Sequence, residues 1–176
     1  MSSPDGPRAW LPTPAQELLL DVVFAPEGER QVPWDRWRER VDLQSLDPGT
    51  YRLLPLVWRR VRGQVDDGPE MDRLKGIYRR TWYQNQIHLG RASELVAAFR
   101  TVGIDTVLLK GAALVQLHYG DAGVRPMDDV DLLVPRHQAA GAVQALFDGG
   151  WVPEATPLKG HEALGRLTRA RWAPPG

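Results

Sequence analysis

The sequence predicts an α+β protein, with a helical N-terminal half followed by a β-α-β-α-β core. Two features of the chain support this prediction. Between residues 70 and 102, apolar side chains recur at steps of three, four or seven, which is the spacing of one face of a long helix. After Gly103 the chain turns to short, continuous runs of aliphatic and β-branched residues, which are typical of buried strands. We therefore expect two structurally different regions.

The helical region is expected to span residues 14–102. Thr13 can cap a helix that begins at Pro14, because threonine favours the N-cap and proline favours the first helical position. Two further short helices are predicted, one in WDRWRERVDL and one in a stretch that Pro55 interrupts or begins.

The longest predicted helix begins near Glu70 and ends near Val102. Gly103 follows the last periodic residue, where a glycine in the left-handed conformation commonly ends a helix. Four tryptophans fall on apolar helix faces, so we expect them in the core rather than in a site that stacks nucleic-acid bases. They are Trp34, Trp37, Trp58 and Trp82.

The core is expected to span residues 103–160, with three strands and two helices in alternation. Pro135 begins the second helix, and Gly149 and Gly150 end it. The strands are predicted in IDTVLL, DVDLLV and WVPEAT, and the first helix in GAALVQLHYG. The chain ends are expected to be a disordered arm over residues 1–13 and an irregular tail over residues 161–176.

The composition excludes several classes of function. Lys plus Arg equals Asp plus Glu at 22 each, so no long-range attraction to a nucleic acid or an anionic membrane is expected. Cysteine is absent, which excludes disulfides, zinc–thiolate sites and thiol nucleophiles. No apolar run approaches the roughly 18 residues of a membrane span, and the first residues lack the apolar stretch of a secretory signal. We therefore expect a soluble, cytoplasmic protein.

Three acids lie at the entrance of the second predicted strand. If DVDLLV is extended, Asp129 and Asp131 point to the same face, about 6.6 Å apart along the strand, because side chains alternate. Two such carboxylates can bind one divalent cation, and Mg²⁺ prefers oxygen ligands and takes substrate phosphates for the rest. The alternative is a solvated loop, or acids paired with Arg125. Asp128 is expected to cap or support this segment rather than to bind a metal.

Groups suited to phosphate binding lie where the first strand meets the following helix. Gly111 allows a ligand to approach the backbone closely, and the first amide groups of the helix are unpaired donors. Lys110 and Arg125 could add positive charge to the same phosphates. The alternatives are an exposed lysine at a strand end, and a structural ion pair from Arg125 to Asp128 or Asp121. Phosphate-binding groups beside a metal-binding pair suit metal-assisted phosphoryl or nucleotidyl transfer.

Three segments, LKGAAL, YGD and RPMDDVDLLV, together resemble the uncharacterised nucleotidyltransferase-like family of bacteria, within the DNA polymerase beta-like nucleotidyltransferase superfamily. The resemblance covers residues 14–155. It implies that Gly111 stands for the glycine of a Gly-Ser pair that opens a helix, with Ala112 in place of the serine. It also implies a nucleotidyltransferase-like core in which Asp129 and Asp131 are the two Mg²⁺-binding aspartates.

The same resemblance implies a Mg²⁺-dependent enzyme that moves a nucleoside monophosphate from a nucleoside triphosphate to an unidentified acceptor, which is a small molecule, a peptide or a protein. It further implies a third carboxylate from a later strand. Only Glu154 and Glu162 follow Asp148, and neither lies in an acidic-strand motif. We therefore expect an incomplete core, in a chain that is a fragment, a gene product truncated at its C-terminus or a degenerate member. The alternatives are a nucleotide-binding or protein-interaction module without catalysis, and a structural helical scaffold.

Overall fold

The structure, a computed structural model, describes residues 11–154, 167 and 170–175. The described chain divides into two compact units. The first unit comprises residues 11–83 and 121–126, and the second unit comprises the remaining described residues. Most of the expected N-terminal arm, and Glu162, lie outside the described residues. Within the described part, no helix combines the length and the apolar content that crossing a bilayer would require.

The predicted succession of helices is confirmed. The helices are α1 (Pro14–Phe24), α2 (Gln31–Arg40), α3 (Pro48–Val61) and α4 (Pro69–Thr101), and α4 continues from the first unit into the second. The cap of α1 is the predicted one. The Thr13 hydroxyl accepts a hydrogen bond from the Gln16 amide, and the Gln16 side chain accepts one from the Thr13 amide.

Helix α3 begins at a side-chain cap and contains a proline. The Asp47 carboxylate accepts hydrogen bonds from the hydroxyl and amide of Thr50 and from the Gly49 amide. These bonds, the one from the Thr50 hydroxyl foremost, hold the pKa of Asp47 below its usual value, because they favour the charged form. Pro55 lies inside the helix without ending it and is fully buried.

The first unit has a tightly packed apolar core. Trp34 and Trp37 are fully buried in α2, with ring centroids 5.1 Å apart in a stacked arrangement. Around them pack apolar side chains from α1, α3 and the start of α4, including Leu19, Leu54 and Leu74. A fully buried apolar side chain stabilises the fold by about 1.5–3 kcal/mol, so this cluster is the main stabilising element of the unit.

A short segment of the chain, residues 121–126, packs against the helices of the first unit. The Asp121 carboxylate accepts hydrogen bonds from the Tyr78 hydroxyl at 2.9 Å, the Gly123 amide at 2.8 Å and Arg59 Nε at 3.2 Å. Burial and the bond to Asp121 raise the pKa of the Tyr78 phenol. A Cβ atom at Gly123 would lie 2.2 Å from the Tyr78 ring, so the close approach requires glycine.

The second unit contains the strands. Strand β1 (Val107–Leu108) pairs antiparallel with β2 (Leu132–Leu133), in the register Val107↔Leu133 and Leu108↔Leu132. Helix α5 (Lys110–Leu114) follows β1 and runs directly into a π-helical turn, Val115–Tyr119. A single 3₁₀ turn leads from β2 into α6 (Ala139–Asp148). Strands β3 (Val152–Pro153) and β4 (Trp172–Ala173) form a separate antiparallel pair.

A smaller apolar cluster holds the second unit together. Its buried members are Phe99, Ile104, Ala142 and Leu146, and Leu95, Leu132, Val134, Trp151 and Trp172 pack around them. Gly103, with φ of 73°, ends α4 in the left-handed conformation predicted for it. The chain can therefore turn sharply from the long helix towards β1.

The α+β class is confirmed, but several local predictions were wrong. The strands are only two residues long, so the stretches IDTVLL and DVDLLV are extended over a small part of their length. Helix α6 is preceded by a 3₁₀ turn at Arg136–Gln138 instead of beginning at Pro135. Trp34, Trp37 and Trp58 are buried as predicted, whereas Trp82 is 46% exposed. Strand β4 lies in the segment expected to be irregular.

Candidate functional site

The acids lie in the loop that leads into β2, and not within the strand. Asp129 precedes the strand by three positions, and Asp131 is the residue before it. The Asp131 carbonyl accepts a hydrogen bond from the Leu109 amide at 3.0 Å, which extends the β1–β2 ladder by one bond. The backbone at Asp131 is therefore fixed by β1. The prediction that both acids lie within the strand was wrong, because DVDLLV is paired only at Leu132–Leu133.

Lys110 directly contacts one of these acids. Its Nζ donates to Oδ1 of Asp131 at 3.0 Å, from the first residue of α5. The backbone of Lys110 has φ of 49°, and it is the one residue other than glycine with a positive φ among those that the structure describes. A side chain in this conformation costs about 1–3 kcal/mol, and such strain is concentrated at functional sites. The strained backbone at Lys110 thus places its ammonium group within hydrogen-bonding distance of Asp131.

Arg171 contacts the other acid, and sequence reasoning missed it. Its Nη2 donates to Oδ2 of Asp129 at 2.7 Å, and its Nε lies 3.8 Å from Oε2 of Glu154. The Arg171 carbonyl also accepts a hydrogen bond from the Glu154 amide at 2.9 Å, next to the β3–β4 pair. The partners are 42 residues apart in sequence, and no local pattern signals the contact.

A cavity of about 590 Å³ opens beside the acids within the second unit. This volume is within the range of small-molecule sites. Asp129, Asp131 and Arg171 contribute to its lining, as do Arg91 and His88 from α4. Its apolar lining comes from the cluster that holds the unit together, and includes Leu95, Phe99, Leu146, Trp151 and Trp172. The cavity therefore offers charged groups and an apolar surface in one space.

The structure brings some of the predicted site residues together. Lys110, Asp129 and Asp131 belong to the second unit, with Gly111 half-buried at the start of α5. Arg125 belongs to the first unit, and its role in nucleotide binding stays a prediction.

The carboxylates suit a hard divalent cation. Asp129 and Asp131 both line the cavity, and each is already engaged by a cation of the chain itself. Among the residues that the structure describes, no group of three or more histidines and acids is placed to hold a metal ion. Mg²⁺ is commonly bound through one or two carboxylates, with substrate phosphates and waters as its remaining ligands. Two carboxylates beside an open cavity fit that mode of binding.

Comparison with known proteins identifies the family. A protein-family model described as uncharacterised nucleotidyltransferase matches residues 50–169. Curated proteins and solved structures gave no match. The matched range includes most of α3, all of α4 and all of the residues proposed for the site except Arg171. It also covers more than half of the chain, and the chain therefore belongs to the uncharacterised nucleotidyltransferase family.

Proposed function

We propose that this protein transfers a nucleoside monophosphate from a nucleoside triphosphate to an acceptor, at the acids of the second unit. The observation that carries the proposal is the position of Asp129 and Asp131, which line one cavity inside the range of the family match. An acceptor oxygen would bond to the α-phosphorus, the bond from that phosphorus to the bridging oxygen would break, and pyrophosphate would leave. The acceptor proton would pass to solvent.

Asp129 and Asp131 are the residues proposed to hold Mg²⁺. When bound, the cation would neutralise charge on the triphosphate and polarise the phosphoryl group. Lys110 is proposed to contact the phosphates, since its ammonium is 3.0 Å from Asp131 and 72% of its side chain is exposed. Gly111, at the start of α5, leaves room for a phosphate to approach the backbone. Arg125 is proposed as a further phosphate contact, on the sequence pattern alone.

A second candidate function is nucleotide binding without transfer. One observation favours it. Both acids are paired with cations of the chain, Asp129 with Arg171 and Asp131 with Lys110. A site neutralised in this way can persist without a metal, because the charges of the acids are already balanced. The two candidates share the nucleotide site and differ only in whether the acceptor step takes place.

The experiment that tests the site is a thermal-shift titration with ATP, GTP, CTP and UTP, each with Mg²⁺ and with EDTA. We expect a Mg²⁺-dependent rise in melting temperature, because a ligand that binds only the folded state stabilises it. Asp129→Asn combined with Asp131→Asn should remove the rise. Asp105→Asn, an exposed acid in the same unit, is the matched control and should keep it.

The nucleotide that stabilises the protein then serves as the donor in a transfer assay. Label from the α-phosphate that becomes fixed to an acceptor, with release of pyrophosphate, supports the enzyme. Binding without any release of pyrophosphate supports the second candidate. If no nucleotide raises the melting temperature of the unmodified protein, both candidates are wrong.

A further inference from the structure

Arg171 is a charged contact of Asp129 to which the proposed function gives no role. Its guanidinium contacts Asp129 at 2.7 Å and lies 3.8 Å from Glu154. It thereby engages the same carboxylate that is proposed to hold Mg²⁺. An oxygen that accepts a charge-assisted hydrogen bond from arginine is a poorer metal ligand until that bond breaks. Arginine and metal therefore compete for Asp129.

We propose that Arg171 is an exchangeable counterion: the metal displaces it from Asp129, and the released guanidinium binds the triphosphate that accompanies the metal. This inference rests on the proposed function. It adds Arg171, which directly precedes β4 and lies outside the residues that the family model matches. It predicts that bare metal binds weakly, whereas the metal–triphosphate complex binds as a unit.

The ion pair between Arg171 and Asp129 is weak enough for a metal ion to displace the arginine. The side chains of Arg171 and Asp129 are 55% and 47% exposed. Ion pairs with this degree of exposure contribute little to stability, so a cation with a higher charge can displace the arginine at small cost. A buried pair would resist displacement, because separating it would leave an unpaired charge away from water.

The backbone keeps the released arginine close to the site. The Arg171 carbonyl is bonded to the Glu154 amide at 2.9 Å, and β4 begins at the next residue. The backbone is thus held by the β3–β4 pair while the exposed side chain can turn. Arginine is well suited to the second contact, because its planar guanidinium binds phosphate oxygens through two parallel hydrogen bonds.

Lys110 pairs with Asp131 in the same way as Arg171 pairs with Asp129. Its Nζ donates to that carboxylate at 3.0 Å. Each acid is thus engaged by a cation of the chain. A bare metal ion would displace both cations, and would leave Arg171 its longer contact with Glu154 and Lys110 no new partner. A metal that arrives with a polyphosphate supplies the partner as well, because the phosphate oxygens accept hydrogen bonds from both released cations. The coupling between metal and polyphosphate follows from this exchange.

The test measures two affinities of the full chain, with Mn²⁺ as the metal probe and inorganic tripolyphosphate as the anion. Free Mn²⁺ is followed by electron paramagnetic resonance, first alone and then with tripolyphosphate. The proteins are the unmodified chain, Asp129→Asn, Arg171→Gln, Arg171→Lys and the control Arg136→Gln, an exposed arginine of the same unit. Melting temperatures verify that all five are folded.

The two affinities should move in opposite directions in Arg171→Gln. Mn²⁺ alone should bind about twofold to fivefold more tightly, which is the effect of removing one exposed ion pair. Tripolyphosphate in the presence of Mn²⁺ should bind about tenfold more weakly, because one charge-assisted hydrogen bond is lost. Arg171→Lys should restore most of the anion affinity, and Arg136→Gln should change neither value.

A purely structural role for Arg171 predicts another pattern. Both affinities would then fall together, or neither would change, and either result overturns the inference. Failure of the proposed function can be distinguished from failure of the exchange, because the first is tested by Asp129→Asn and the second by the arginine variants. If Asp129→Asn binds metal and nucleotide as the unmodified chain does, the acid site itself is wrong. If Asp129→Asn loses binding while Arg171→Gln binds metal and anion as the unmodified chain does, the acid site is supported and the exchange is wrong.

Discussion

The two units of the molecule differ in the size of their apolar cores and in the charged groups that they expose. The first unit buries large aromatic and aliphatic side chains in a helical core, where Trp34 and Trp37 are fully excluded from solvent. The second unit has two-residue strands and a smaller apolar cluster, and its candidate site has the ion pairs Lys110–Asp131 and Arg171–Asp129. Stability is therefore expected to depend mainly on the first unit, and ligand binding on the second.

The largest expected effect is the loss of a buried tryptophan from the first unit. Trp37→Ala should lower the free energy of unfolding by about 3–5 kcal/mol, because it removes a buried ring and leaves a cavity. Denaturant unfolding, followed by circular dichroism, measures the change. The matched control is Trp82→Ala, since Trp82 is 46% exposed and should cost far less. Equal losses in the two variants would contradict the assignment of the core.

A smaller effect is expected at the close approach between Gly123 and Tyr78. Gly123→Ala should destabilise the protein by about 1–3 kcal/mol, because the new methyl group overlaps the Tyr78 ring and displaces it from Asp121. The matched control is Gly141→Ala in α6, where the nearest atom would be 3.7 Å away and no clash arises. Urea titrations measure the free energy of unfolding of both variants. A Gly123→Ala variant with unchanged stability would show that the Tyr78 ring does not contact Gly123.

In the second unit, a substitution is expected to raise stability while it weakens binding. Lys110→Gly should stabilise the fold by up to about 1 kcal/mol, because glycine adopts a positive φ without strain. It should also weaken Mg²⁺–nucleotide binding, since the ammonium near Asp131 is lost. Lys75→Gly, in the second turn of α4, should instead destabilise the protein by about 1 kcal/mol. A Lys110→Gly variant that loses stability would remove the argument for strain at the site.

The smallest expected effect is a pH dependence that arises from the first unit. The pKa of Tyr78 is raised in the folded protein, by burial and then by the bond to Asp121. The resulting stabilisation is complete below the unfolded value of about 10 and is lost as the pH rises through the higher folded value. Unfolding measured between neutral and alkaline pH should show a decline that Tyr78→Phe reduces. An unchanged decline in that variant would assign it to other groups.

The sequence predicted most of the helical region, because the signals there are local. Thr13 and Pro14 mark the start of α1, and Gly103 marks the end of α4, with each signal lying within a few residues of its effect. Trp82 was placed wrongly, since a periodic pattern indicates a face but not whether other elements cover that face. The start of α1 and the end of α4 therefore followed from local signals, whereas the exposure of Trp82 did not.

The candidate site was predicted only in part. Asp129, Asp131, Lys110 and Gly111 were predicted from spacing and residue type, and their roles in binding stay predictions. The contacts of Arg171 could not be found in this way, because they depend on a β-pair between segments that are distant in sequence. The short strands have a similar cause. Continuous apolar runs predict buried strands, but the extent of pairing depends on neighbouring segments that the pattern does not contain.

The central claim is that the acids before β2 form a metal-dependent nucleotide site. Mn²⁺ with the stabilising nucleotide should broaden the amide resonances of ¹⁵N-labelled protein, because an unpaired electron relaxes nearby nuclei. The account predicts that broadening is strongest at Lys110, Asp129, Asp131 and Arg171. It should disappear on addition of EDTA and in Asp129→Asn combined with Asp131→Asn. Broadening that is absent, strongest elsewhere, or retained in the double variant would contradict the claim.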